Sequence, residues 1–132
     1  MIFDGFSPVE GSPLYRQIIR HIQRGLAAGT IRFGDELPSR RTLSALLGVN
    51  PNTVQKAYRL LEEEGIITSH TGAKSLVAAD EATVDRVRRE LLAEEAGALV
   101  RAMREMGVDR EEALAEIRRL WDAPPGKKEA EP

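Results

Sequence analysis

The sequence predicts a mainly α-helical fold with one small β-hairpin, followed by a two-helix C-terminal region. Three observations carry that expectation. Apolar residues recur at helical spacing in five segments, bounded by cap residues and glycines. The second and third segments are short and separated by a single tight glycine turn. Two short apolar stretches then flank a glycine-bearing tip, which is the pattern of a hairpin.

Ser12-Pro13 opens the first helix, with Ser12 as N-cap and Pro13 as first helical residue. Tyr15, Ile18, Ile19, Ile22 and Leu26 form its apolar face, and Gly29 supplies the stop. Thr30-Ile31-Arg32 reads as a short strand before a Gly34-Asp35 turn. Ser39 caps the second helix, whose apolar face is Leu43, Leu46 and Leu47 and whose end is Gly48. Only Val49 separates that glycine from the next cap, Asn50, and Pro51 takes the first helical position. Val54, Ala57, Tyr58 and Leu61 are the buried stripe of the third helix, closed by Gly65. Ile66-Ile67-Thr68 and Leu76-Val77-Ala78 are the hairpin strands, with His70-Thr71-Gly72-Ala73-Lys74 between them.

From Asp80 a long charged helix is expected, running to about Met106. Val84, Val87, Leu91, Leu92, Ala96, Leu99, Met103 and Met106 share one broad face, with heptad-like spacing from Leu92 onward. Gly107 is a C-cap, and Asp109 with Glu112 resembles a capping box for a last helix. Its apolar face is Ala113, Leu114, Ile117, Leu120 and Trp121. Residues 122–132 are rich in Pro, Lys and Glu and read as a disordered tail. The expected domains are therefore 1–79, 80–121 and the tail.

Composition removes several function classes. The chain has 132 residues and no cysteine, which excludes a disulfide framework, a thiolate metal site and a Cys nucleophile. That usage fits a reducing compartment, no signal-peptide pattern opens the sequence, and no apolar run is long enough to span a membrane. A cytoplasmic location with no membrane partner is expected. His21 and His70 lie in different elements and do not argue for a metal. No phosphate-cradling glycine loop, nucleophile elbow or zinc motif is present, so neither an enzyme nor a cofactor is expected. The net charge of −2 is unevenly spread. Residues 1–79 carry nine Lys/Arg against seven Asp/Glu, whereas residues 80–132 carry ten against fourteen. The acidic balance thus lies outside the N-terminal part.

Two short helices joined by a glycine turn are a helix-turn-helix pattern, and the hairpin adds a wing. In that pattern the second helix enters the major groove with its N-terminal residues nearest the base edges. Here that helix begins Asn50-Pro51-Asn52-Thr53, and Asn52, Gln55, Lys56 and Arg59 lie opposite its buried stripe. Asn and Gln can bond an adenine edge in two places, and Lys and Arg suit guanine or phosphate. Ser39, Arg40 and Arg41 stand at the preceding helix N-terminus, where free amides favour phosphate. Thr71, Gly72 and Lys74 suit sugar-phosphate contact at the wing tip. Other readings stay open. The polar face can be an ordinary solvated one, Arg41 can pair with Asp35 or Glu36, and His70 can simply pack at a strand end. A winged helix used for protein–protein assembly is the main rival.

These residues resemble the GntR superfamily of bacterial transcriptional regulators. The resemblance rests on Leu37-Pro38-Ser39-Arg40-Arg41, on Thr53-Val54, and on VNPNTVQKAYRLLEEEG over 49–65, which looks like the YtrA subfamily. It is strong over 12–78 and extends to the remainder through layout. It implies a DNA-contacting role for Arg41, Asn52 and Thr53, with Gln55, Lys56 and Arg59 on the outward face and Gly72 as the first wing glycine. Two departures stand out. Phe33-Gly34-Asp35 replaces the usual Pro-Gly-Asp, and Lys74 stands where the wing usually has its second glycine. The second departure implies a different wing tip, since a positive φ at that position would strain a lysine.

The resemblance further implies a homodimer built on the C-terminal helices. The long helix would extend about 40 Å at ~1.5 Å per residue, more than one short partner helix covers. Val84, Val87, Leu91, Leu92, Leu99, Met103, Met106, Leu114, Ile117, Leu120 and Trp121 are the expected interface, with Trp121 as anchor. The alternative is that both helices fold back on their own winged domain. A twofold dimer reads an inverted repeat in double-stranded DNA. Two helices cannot enclose the ~300 Å³ pocket of a typical small-molecule site, which leaves a cleft at the dimer interface as the place for an effector, itself unspecified. From the resemblance come repression rather than activation and a transporter operon as target.

Overall fold

A computed structural model describes residues 1–69 and 74–124. The elements run α1 (Leu14–Ala28), β1 (Glu36–Leu37), α2 (Arg40–Leu47), α3 (Pro51–Glu63), β2 (Ile67–Ser69), β3 (Ser75–Val77), α4 (Glu81–Glu105) and α5 (Arg110–Trp121). The three strands form one antiparallel sheet in the order β1-β3-β2, with Glu36 opposite Leu76 and Ile67 opposite Val77. This is the mainly helical, winged arrangement that the patterning predicts. Residue contacts divide the chain into two compact units, Met1–Leu92 and Ala93–Pro132.

The core of the first unit is the set of apolar positions that periodicity selects. Ile18, Ile22 and Leu26 of α1, Leu43 of α2, and Val54, Ala57, Tyr58 and Leu61 of α3 are buried together with Ile66, Ile67 and Val77. Burial of each such aliphatic side chain is worth about 1.5–3 kcal/mol. The packed side of α2 leans toward Ser44 and Leu47, which leaves Leu46 exposed. At the other end of the sequence scale, Phe3 is buried although no helical or strand pattern surrounds it. It stacks on His21 with ring centroids 5.1 Å apart, and Phe6 meets the same imidazole edge-on. His21 Nε2 donates to the Ile2 carbonyl at 2.8 Å, so this histidine anchors the N-terminal segment.

Three local expectations shift. The first helix opens one residue later than expected, with Pro13 as N-cap and no side-chain capping bond. The early strand forms at Glu36–Leu37 and not at 30–32. There the Thr30 and Ile31 amides both donate to the Gly25 carbonyl, at 2.9 and 3.1 Å, and so prolong the end of α1. Gly25 is needed for that turn, since a Cβ on it would lie 2.3 Å from Ile31 Cδ1. The third shift concerns α4. Val87 and Leu91, expected at a dimer interface, are buried in the first unit's own core, and Val84 packs against it. Arg86 ties this part of α4 down by donating to the Glu64 carbonyl at 3.1 Å. Apolar spacing cannot distinguish a face buried within the unit from one left for a partner.

In the second unit, Gly107 adopts φ +78° and the Val108 amide donates to Met103 O at 3.0 Å, which closes α4. Asp109 then caps α5 by accepting from the Glu112 amide at 2.9 Å. No described residue from 93 onward is fully buried. Leu99, Met106, Leu114, Leu120 and Trp121 are exposed, and Met103 and Ile117 are half-buried. The tail expected over 122–132 lies from 125 on outside the described residues, whereas Asp122 is the C-cap of α5.

Candidate nucleic-acid interface

The two short helices and their turn are held by side chains as well as by burial. Ser39 Oγ accepts from the Thr42 amide at 3.1 Å and caps α2. Gly48 ends α2 in the left-handed region, at φ +67°, where other residues are strained. Ser44 Oγ donates to the Val49 carbonyl across the turn at 2.7 Å, and the Val49 amide returns to Ser44 O at 3.1 Å. Asn50 Oδ1 accepts from the Asn52 amide at 2.7 Å and caps α3. Tyr58, fully buried on α3, donates its hydroxyl to the Pro38 carbonyl at 2.7 Å. Burial pushes that hydroxyl's pKa far up, against the smaller opposing effect of Arg40, so it stays a donor. Ser44→Ala is expected to destabilise the chain by about 1–2 kcal/mol, since it strips the half-buried Val49 carbonyl of a partner. An unchanged urea midpoint would show that the turn does not depend on this bond.

The outward face of α3 is where the expected DNA-reading residues stand. Asn52 and Gln55 are exposed, and their side chains make no bond to any described residue. An amide pair with free donors and acceptors at a helix N-terminus can bond a base edge without first breaking an internal bond. Thr53 is half-buried beside Asn52. Arg59 is exposed and pairs with Glu63 at 3.2 Å, one turn along the helix. Lys56 rests its ammonium 4.1 Å from the centroid of the Tyr15 ring.

The residues around α2 and the wing divide differently. Arg41 is exposed and has no ion-pair partner among the described residues. Arg40 is half-buried, with its guanidinium 5.1 Å from the Tyr58 ring centroid and 3.6 Å from Glu62. Of the two arginines, Arg40 therefore braces α2 on α3, whereas Arg41 stays exposed. Lys74 is exposed and paired with Glu36, whose hydrogen bond raises the lysine pKa. That pair joins β1 to the residue before β3. Thr71 and Gly72, like His70, lie outside the described residues. The charge pattern gives Arg41→Ala a specific expected outcome. Binding should weaken on all sequences alike and the log–log salt slope should flatten by about 0.9, one phosphate contact. A slope equal to wild type in a salt titration would remove Arg41 from the interface.

Sequence reasoning missed Ser44, the Tyr58 hydroxyl and Tyr15 as parts of this region. Ser44 lies one residue from the centre of the α2 apolar face, a polar position that helical spacing alone marks as half-turned inward. Tyr58 was expected in the core, but its polar end had no visible partner in the sequence. Among the described residues, no cluster of three His, Asp or Glu is arranged to hold a metal ion, and no helix is long and apolar enough to cross a membrane.

Comparisons with known proteins agree with this geometry. Residues 14–77 match the family model "Bacterial regulatory proteins, gntR family". The chain is 34% identical over 106 residues to the uncharacterized HTH-type transcriptional regulator YhcF of Bacillus subtilis, covering 80% of this chain and 88% of that protein. It is 41% identical over 71 residues to the HTH-type transcriptional repressor YtrA of the same organism, spanning 54% of this chain and only 55% of YtrA. A solved GntR family transcriptional regulator from Listeria monocytogenes superposes with a TM-score of 0.76 at 28% identity, covering 85% of this chain and 98% of that one. The chain belongs to the gntR family of bacterial regulatory proteins, as a DNA-binding transcriptional regulator and not an enzyme.

Proposed function

We propose that this regulator is a cytoplasmic repressor that binds an inverted-repeat operator as a homodimer and so blocks transcription, with a transporter operon as its target. One observation carries the DNA-reading part. Among the described residues, the Asn52 and Gln55 side chains on the exposed start of α3 and the exposed Arg41 at the start of α2 have no partner, while Asn50 and Arg40 are used to hold the helices in place. The dimer is supported by the second unit. It buries no described residue fully and exposes Leu99, Met106, Leu114, Leu120 and Trp121. A groove of about 410 Å³ lined by Met103, Met106, Val108 and Ala113 adds to that apolar surface. Five large apolar side chains in so short a segment are costly to leave in water. The interface in this reading begins at Leu92, because Val87 and Leu91 are already buried. Repression is supported by the name of YtrA, and the transporter target rests on what the sequence resemblance to the YtrA subfamily implies.

The test is selection of the purified chain against a random duplex pool. Enrichment of an inverted repeat, with half-sites about 10 base pairs apart or a multiple of that, is expected from a twofold dimer. A folded dimer that enriches nothing would favour an effector-dependent regulator or a protein-assembly module. Enrichment of a single half-site would leave the DNA reading intact and sink the homodimer.

A further inference from the structure

Tyr15 and Arg16 lie in the first turn of α1, outside the helix-turn-helix, yet the Tyr15 ring meets Lys56 of α3 and Arg16 meets the same ring. The Tyr15 ring is half-buried against the core and so is held in place. Lys56 sets its ammonium 4.1 Å from the ring centroid, and Arg16 sets its guanidinium carbon 5.7 Å from it. Arg16 Nε also donates to the Tyr15 hydroxyl at 3.2 Å. Neither cation has a carboxylate partner among the described residues, and the first turn of α1 contains no acidic residue. Elsewhere on this half of the chain Arg40, Arg59, Lys74 and Arg86 are each paired with a glutamate. Two unneutralised cations gathered on one tyrosine repel each other, and an anion between them relieves that repulsion.

We infer that Tyr15, Arg16 and Lys56 form a phosphate-binding site for the DNA backbone, in which Tyr15 is a positioning residue that holds the Lys56 ammonium toward the start of α1. The inference rests on the DNA-binding reading of α3. Of the two roles open to Lys56, guanine or phosphate, it selects the phosphate, since the ammonium rests on the Tyr15 ring of α1. The ring's negative face attracts both cations and orders Lys56 before DNA arrives, so less side-chain freedom is lost on binding. The hydrogen bond from Arg16, followed by the charges of Arg16 and Lys56, lowers the Tyr15 hydroxyl's pKa, which agrees with a cationic setting. Base reading is then left to Asn52 and Gln55, and the backbone is held on two sides, by Arg41 at α2 and by this site at α1.

The experiment is fluorescence anisotropy of the full chain with a mixed-sequence duplex of about 30 base pairs, titrated from roughly 50 to 200 mM salt. Arg16→Ala and Lys56→Ala should each flatten the log–log salt slope by about 0.9, and the double variant by about 1.8. Tyr15→Leu should lose what Lys56→Ala loses, and combining the two should lose little more. Tyr15→Phe, which keeps the ring face, should restore the Lys56 part of the slope. Wild-type slopes for Arg16→Ala and Lys56→Ala, or for folded Tyr15→Leu, would overturn the site while leaving DNA binding intact. Should Tyr15→Leu fail to fold, the exposed Arg16 and Lys56 variants decide the matter. A wild-type chain that binds no duplex at the lowest salt would overturn the DNA reading and this site with it.

Discussion

Leu99→Asp is expected to turn the proposed dimer into a monomer and to lower affinity for an inverted repeat by about 10²–10⁴-fold. Leu99 lies on α4 in the second unit and is 44% exposed, so it is free to be covered by another chain. A carboxylate at that position would be buried without a partner in an apolar interface, which costs several kcal/mol at least. Each recognition helix would then bind its half-site alone. The lost factor is the effective concentration that linkage gives the second half-site. The winged domain should remain folded, because Leu99 is outside the first unit and its core. Light scattering and a thermal melt separate the outcomes. A monomer with an unchanged melting profile for the winged unit is expected. An unchanged dimer mass would place the interface elsewhere.

Asn52→Ala is expected to cost about 1–3 kcal/mol of discrimination at one base pair, roughly a 5- to 150-fold loss, and to leave binding to unrelated duplexes nearly intact. The structure makes this a clean test. The helix is capped by Asn50, whose Oδ1 takes the Asn52 amide, while the Asn52 side chain takes part in no bond among the described residues. Alanine is also a better helix former than asparagine, so stability should hold or rise slightly. Asn50→Ala makes the contrast, with a stability loss of about 1 kcal/mol from the missing cap. Competition with single-base variants of the selected operator provides the measurement. A base preference unchanged in Asn52→Ala would rule out base reading by this residue.

Much of the architecture was legible before any coordinates. Ser39, Asn50 and Asp109 cap the helices they were expected to cap, and Gly29, Gly48 and Gly107 end helices in the left-handed region. The stripe Val54, Ala57, Tyr58 and Leu61 is buried as its spacing requires. These features depend on residues within one or two turns of each other, so the local sequence contains nearly all the information they need. The length of α4 and the break before α5 were readable for the same reason.

What tertiary structure decided was the partner of each group that reaches far along the chain. Arg40 and Arg41 are adjacent and chemically identical, yet one packs on Tyr58 and the other is left exposed. Lys74 pairs with Glu36 because antiparallel pairing brings β1 beside β3. Val87 and Leu91 continue the same apolar face as Leu99 but belong to the first unit's core. Phe3 is buried by ring contacts with a helix that starts eleven residues later. Thus the sequence alone determined the helices, the caps of α2, α3 and α5, and the polar outward face of α3. Only the packed structure decided which cations are tied, which apolar residues remain for a partner, and where the early strand pairs. The physical reason is range: capping and periodicity act within a turn or two, whereas long side chains and short strands take their partners from segments the chain brings together only on folding.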